Sequence, residues 1–231
     1  MASEVHDLFT NDDDNNRHHH PSWRSTWYTC FTKHVPLIKL PHSNPTFLKS
    51  ISILSSNCRK TFLKGGVSIF VYRNVKYKSI NIYEYNIDMD IEACAIQLDS
   101  TFNKLCILSI YRSSRGAFTN FFKLLELILQ ELYNNKYNII ICGDVSVYCL
   151  IDNNRRSQLD AVLHSYNLAG TAEFPTRYGL IFQTAIDNVC IGTFTIGKYG
   201  FYPLHGLSDH DAKLLILNKG QKKVKECRTY I

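Results

Sequence analysis

The chain has 231 residues, 45% of them hydrophobic and 20% charged, with a formal net charge of +6. That composition excludes a largely disordered chain, a collagen-like chain and a disulfide miniprotein, and the length suits one sizeable core. Eight cysteines and no C-x-x-C pair exclude a zinc site built from such pairs, and favour a reducing intracellular compartment.

Met1–Asn16 is polar and acidic, without the apolar stretch of a secretory signal, and no run is long enough to span a membrane. The expected setting is therefore nuclear or cytoplasmic, with no membrane partner. Residues 1–64 read as a poorly ordered or atypical segment. Asn11–Asn16 and His18–His20 are low-complexity runs, and Pro21, Pro36, Pro41 and Pro45 interrupt any long element. Only Leu37–Leu40 and Phe47–Leu54 there are apolar enough for short strands.

From Gly65 the pattern changes. Val67–Tyr72 reads as a strand, and Cys94–Leu98 with Leu105–Tyr111 as a hairpin about Asp99–Asn103. Phe118, Phe121, Phe122, Leu125, Ile128, Leu129 and Leu132 recur at helical spacing, which predicts about four turns. Asn138–Cys142 is an apolar strand ending in Gly143-Asp144. Arg156–Leu168 predicts a second helix, through Leu159, Val162, Leu163 and Tyr166. Ala185–Ile191, Phe194–Tyr199 and Ala212–Leu217 complete the strands. Residues 218–231 form a basic tail that carries four of the six net positive charges and attracts polyanions without sequence readout.

The chemistry-bearing residues stand at predicted strand ends. Asp144 follows an apolar strand. Asp187 sits near the start of Ala185–Ile191, where an acid is expensive unless hydrogen-bonded. Ser208-Asp209-His210-Asp211 precedes the last strand. If those ends converge, three carboxylates and an imidazole meet in one cleft. Such a group suits phosphodiester hydrolysis: a carboxylate aligns water, an imidazole contacts a phosphate oxygen, and a metal offsets charge.

Six motifs in order resemble the endonuclease/exonuclease/phosphatase superfamily, and most closely the endonuclease of LINE-type (non-LTR) retrotransposons. They are Gly65-Gly66-Val67-Ser68-Ile69-Phe70, Ser109-Ile110-Tyr111-Arg112, Ile141-Cys142-Gly143-Asp144-Val145-Ser146, Pro175-Thr176-Arg177, Thr184-Ala185-Ile186-Asp187-Asn188 and Ser208-Asp209-His210-Asp211-Ala212. The resemblance implies a four-layer α/β sandwich over residues 65–217, deoxyribonuclease-like, with two packed β-sheets flanked by helices and an incomplete N-terminal part. It implies Mg²⁺-dependent (or Mn²⁺-dependent) nicking of DNA. Carried over, Asp144 aligns the attacking water, His210 contacts the scissile phosphate and is held by Asp187, Asp209 lies beside the metal, and Tyr111 supports the phosphate. Arg112, Ser146, Thr176 and Arg177 face DNA, while Asn188 and Asp211 are structural.

The departures are as informative. The superfamily's upstream strands ending in Asn and in the metal-ligating Glu are not found before Gly65, where Glu4 is the only Glu. Its G-D-x-N reads Gly143-Asp144-Val145-Ser146, so one hydroxyl stands where an amide offered both acceptor and donor. Mg²⁺ relies on one or two carboxylates plus water and phosphate, which leaves Asp209 as the main anchor. The expectation is a truncated, marginally stable endonuclease with weak or no activity. The alternatives are a nucleic-acid-binding remnant without turnover, or another phosphoesterase of the superfamily.

Overall fold

The computed structural model describes residues 29–32, 51–57, 66–72, 75–98, 104–172, 174–178, 183–192, 199–204 and 212–217. Three strands, β1 (Thr29–Thr32), β2 (Ile51–Asn57) and β3 (Val67–Tyr72), form one sheet in the order β1-β3-β2. Two of its strands therefore come from the segment before Gly65 that reads as atypical, and β2 overlaps Phe47–Leu54. They flank β3 on both sides, antiparallel to it, so its backbone groups are paired along both edges.

The larger sheet takes β4 (Tyr77–Ile80), β5 (Glu92–Leu98), β6 (Leu105–Tyr111), β7 (Asn138–Asp144), β8 (Leu168–Gly170) and β11 (Asp187–Gly192), in the order β4-β5-β6-β7-β11-β8. β5 and β6 are the expected hairpin. β6 and β7 run parallel, which requires a crossover. Helix α1 (Phe118–Asn134) supplies it. β9 (Arg177–Tyr178) and β10 (Gln183–Thr184) make a small antiparallel pair, as do β12 (Tyr199–Leu204) and β13 (Ala212–Leu217), and β13 lies beside β11. Sequence placed a strand at Phe194–Tyr199; in the structure β12 begins at Tyr199, and residues 193–198 lie outside the described set.

Alternation along the strands separates two cores. Val67, Ile69 and Val71 pack against Cys94, Ile96, Leu98, Ile107, Ile140, Cys142, Val189 and Ile191, filling the space between the sheets. The other face, with Ala93, Ala95, Cys106, Leu108, Ile110, Ile139, Ile141 and Cys190, is covered by α1 and by α2 (Asn154–Ser165). This is the expected α/β sandwich, and both described helices lie outside the larger sheet.

α1 buries Phe121, Leu125, Ile128, Leu129 and Leu132, as the helical spacing predicts. Each such side chain contributes about 1.5–3 kcal/mol relative to exposure. The residue that precedes it, Ala117, offers no capping side chain. Asp90 instead tethers this end from a distance, accepting from Ala117 N at 2.6 Å and Asn120 Nδ2 at 2.7 Å. Asn153 caps α2 from its own chain, accepting from Arg156 N at 2.9 Å. α2 ends at Ser165 rather than Leu168, because Leu168–Gly170 leaves to pair with β11.

Cys94, Cys106, Cys142, Cys149 and Cys190 are buried. They behave as small core hydrophobes, and burial pushes the Cys106 thiol well up from its ordinary value. Among the described residues no helix is long and apolar enough to cross a membrane.

Candidate active site

The sheet register places four residues in one row. Glu92 pairs with Tyr111, Tyr111 with Asp144, and Asp144 with Asp187, across β5, β6, β7 and β11. Strands lie about 4.8 Å apart, so the row spans about 14 Å. Alternate residues on these strands, Cys94, Cys142 and Val189, belong to the inter-sheet core. The row therefore faces the space between the two sheets at one end of it. Ends of parallel strands are where loops diverge and open a crevice, and Tyr111 and Asp144 close the parallel pair.

Asp144 is 1% exposed. Gly143 before it has φ 148°, a conformation that glycine adopts without strain. Its Oδ1 accepts from Ser146 N at 2.8 Å and lies 3.2 Å from Ser146 Oγ. Ser146 holds φ 48°, in the left-handed region where Asn is the commoner residue. Its hydroxyl also reaches the Arg112 carbonyl at 3.1 Å, so one proton serves two acceptors. Asp187 is half-buried. Its Oδ2 accepts from the Thr176 hydroxyl at 3.0 Å, and its N–H donates to the same oxygen at 3.2 Å. Thr176 is thereby locked onto Asp187, and its backbone N–H is held by the Thr184 carbonyl at 2.9 Å.

Arg112 and Thr176 do not sit on an exposed rim. Arg112 is 1% and Thr176 0% exposed. The guanidinium donates to the carbonyls of Val145 at 2.9 Å, Gly116 at 2.7 Å and Ser146 at 3.2 Å, and its plane lies 3.6 Å over the Phe118 ring. It ties the loop after β6 to the loop after β7. Burial and the neighbouring Arg155 lower its pKa to about 10, against the attraction of Asp144. It stays charged at neutral pH. The loop it grips leaves no room at Gly116, where a Cβ would lie 2.2 Å from the Met89 carbonyl oxygen.

Arg177 is half-buried at the start of β9. Asn188 is buried, accepting from Thr171 N at 3.1 Å and placing its amide 3.7 Å from Cys149 Sγ, which suits the structural role expected of it. Asp209, His210 and Asp211 lie outside the described residues. β13 begins directly after Asp211 and lies beside β11, the strand that carries Asp187.

Glu92 is the member of the row that sequence reasoning missed. It is 1% exposed and accepts from the backbone N–H groups of Gly66 and Met89. The signal was present: an acid at the head of the apolar run Ala93–Ile96, in the same position as Asp187 at the head of its strand. Its carboxylate fastens the loop before β3 to the larger sheet and is already engaged by two donors. Among the described residues no group of three His, Cys, Asp or Glu side chains could hold a metal ion. Glu92 is committed to backbone and Asp144 Oδ1 to Ser146, and no third such side chain joins them among the described residues, which therefore do not by themselves fit a divalent cation.

Solved structures share this architecture. The endonuclease domain of TRAS1, a telomere-specific non-LTR retrotransposon, superposes with a TM-score of 0.60 at 10% identity, over 74% of this chain and 82% of that one. An endonuclease/exonuclease/phosphatase protein from Bacteroides vulgatus gives 0.54 at 11% identity, over 75% and 78%. TDP2 of D. rerio, crystallised with a single-strand DNA product, gives 0.52 at 11% identity, over 81% and 84%. The chain has the endonuclease/exonuclease/phosphatase fold. The resemblance read from six short motifs thus holds at the level of architecture. No protein-family model matches the chain, and no curated protein matches it either.

Proposed function

We propose that the chain is a phosphodiesterase-type protein of retrotransposon endonuclease lineage, directed at DNA, with weak or no turnover. The observation that carries this reading is the in-register row of Tyr111, Asp144 and Asp187 at the C-terminal end of the parallel pair. In this reading Asp144 aligns water for in-line attack. Asp187, steadied by Thr176, orients the His210 imidazole toward a phosphate oxygen. Tyr111 supports the phosphate from the neighbouring strand, and Arg177 and Ser146 contact the nucleic acid. Arg112 contributes by fixing the two loops that frame Asp144. Mg²⁺ or Mn²⁺, with Asp209 as main ligand, is part of the same proposal.

A second reading, a binding remnant without turnover, is favoured by two features. Asp144 is almost fully covered, and Glu92 is spent on backbone donors. Losing one group aimed at transition-state charge slows a reaction by about 100- to 1,000-fold.

Supercoiled plasmid incubated with the protein, with and without added Mg²⁺, separates the readings. Slow conversion to open circles by the parent, absent in Asp144→Ala, supports the enzyme. Retention of plasmid without nicking by either protein supports the remnant. Phosphate release from small phosphomonoesters with plasmid left intact would overturn both in favour of another phosphoesterase.

A further inference from the structure

At the other end of the larger sheet the chemistry is reversed. Tyr77 pairs with Leu98, Leu98 with Leu105, and Leu105 with Asn138, so these ends of β4, β5, β6 and β7 are aligned. Exposed Lys76 and Lys78 stand at the β4 end, exposed Lys104 immediately before β6, and exposed Lys136 two residues before β7. Lys78 pairs with Gln97, whose side chain accepts from the Tyr137 hydroxyl at 3.2 Å. Lys104 Nζ lies 5.9 Å from the Tyr137 ring centroid. Tyr77 is 41% exposed, in an open groove lined by Val75, Lys76, Tyr77, Lys78 and Gln97. Glu131 also acts on Tyr137, so among the described residues this group sets four lysines against one glutamate.

We infer that this lysine- and tyrosine-lined end of the sheet is a second nucleic-acid contact, about 20 Å along β6 from Tyr111. Two local explanations cover parts of it. Lysines on an edge strand such as β4 discourage sheet-to-sheet pairing, and Lys104 donates to the Asn135 carbonyl at the end of α1, 3.1 Å away. Neither explains why four cations from three separate segments stand at one end of the sheet. Clustered exposed cations match the repeated negative charge of a phosphate backbone. The contact is sequence-independent, because nothing in it is built to read base edges. It goes beyond the catalytic reading and stands without it.

The test is fluorescence anisotropy of the full chain with a short labelled duplex, titrated between about 50 and 200 mM salt. The protein carries Asp144→Ala throughout, so turnover plays no part. Lys76→Gln/Lys78→Gln/Lys104→Gln/Lys136→Gln is expected to bind at least about tenfold more weakly. Each phosphate contact contributes about 0.9 to the slope of log affinity against log salt, so the slope should flatten by about 3.6. The basic tail is common to both proteins and cancels. The corresponding four Lys→Arg changes should restore both values. Should the fourfold Gln variant fail to fold, Lys76→Gln/Lys78→Gln alone should flatten the slope by about half as much. An unchanged slope would overturn the inference, as would a poly-glutamate peptide that competes as well as unlabelled duplex of equal charge. Nicking by the parent protein is scored separately, so failure here leaves the catalytic reading standing.

Discussion

The two ends of the six-stranded sheet use charge in opposite ways. At one end, Glu92, Asp144 and Arg112 are buried and Asp187 half-buried, and backbone groups, Ser146 or Thr176 hydrogen-bond to each of them. At the other, four lysines stand exposed at the strand ends. Buried charge is costly to place and costly to disturb, so the first end is organised before any ligand arrives. Exposed charge is screened and additive, so the second end can lose any one member with little effect on folding.

Arg112→Met should break that contrast most severely. It strips three carbonyls of their donor and unties two loops, with an expected loss of about 3–5 kcal/mol in urea denaturation. A loss under about 1 kcal/mol would mean that the loops hold without it. Thr176→Val removes the hydroxyl that both donates to Asp187 and accepts from it, and about 1–3 kcal/mol should disappear. Its nicking activity, if the parent has any, should fall further than its stability does. Asn153→Ala unsatisfies the start of α2 and should lower stability by about 1 kcal/mol.

The alkaline titration sharpens the comparison between these ends. A side-chain hydrogen bond with Glu131 raises the Tyr85 phenol to about 12 from the usual 10. A raised pKa contributes stability that is complete below pH 10 and disappears as pH climbs through about 12. Burial also raises the Tyr137 and Tyr166 phenols, so absorbance at the tyrosinate band should show one late-ionising phenol fewer in Tyr85→Phe than in the parent, and one shifted earlier in Glu131→Gln. Smallest of all, Lys78→Gln should move the unfolding free energy by no more than about 0.5 kcal/mol. A larger change would show that the lysine end is structural after all.

Much of this architecture was legible because it follows from period. The spacing of Phe121, Leu125, Ile128 and Leu132 could serve only a helix, and the runs through Ile96, Ile107 and Ile140 only buried strands. Asp144 and Asp187 were legible because an acid beside an apolar run must have a reason to be there. Glu92 satisfied the same rule and went unread, since a residue at the head of a strand looks like a turn until its register partner is known. Arg112 and Thr176 read as DNA-facing because arginine and threonine often are. Their real partners, carbonyls 33 and 34 residues away for Arg112 and a carboxylate 11 residues away for Thr176, leave no trace in local sequence. β4 escaped notice for the opposite reason: Tyr77-Lys78-Ser79 is exposed edge and has no alternation to read. Residues before Gly65 looked inert because two short strands gain their meaning only from β3 between them.

The five enclosed thiols have a practical consequence. Four of them, Cys94, Cys106, Cys142 and Cys190, sit one each on β5, β6, β7 and β11. An alkylating reagent can meet those sulfurs only when the strand beneath them comes loose. Peptide-resolved labelling over time would therefore act as a clock on each strand separately, timing in which sequence the sheet lets go.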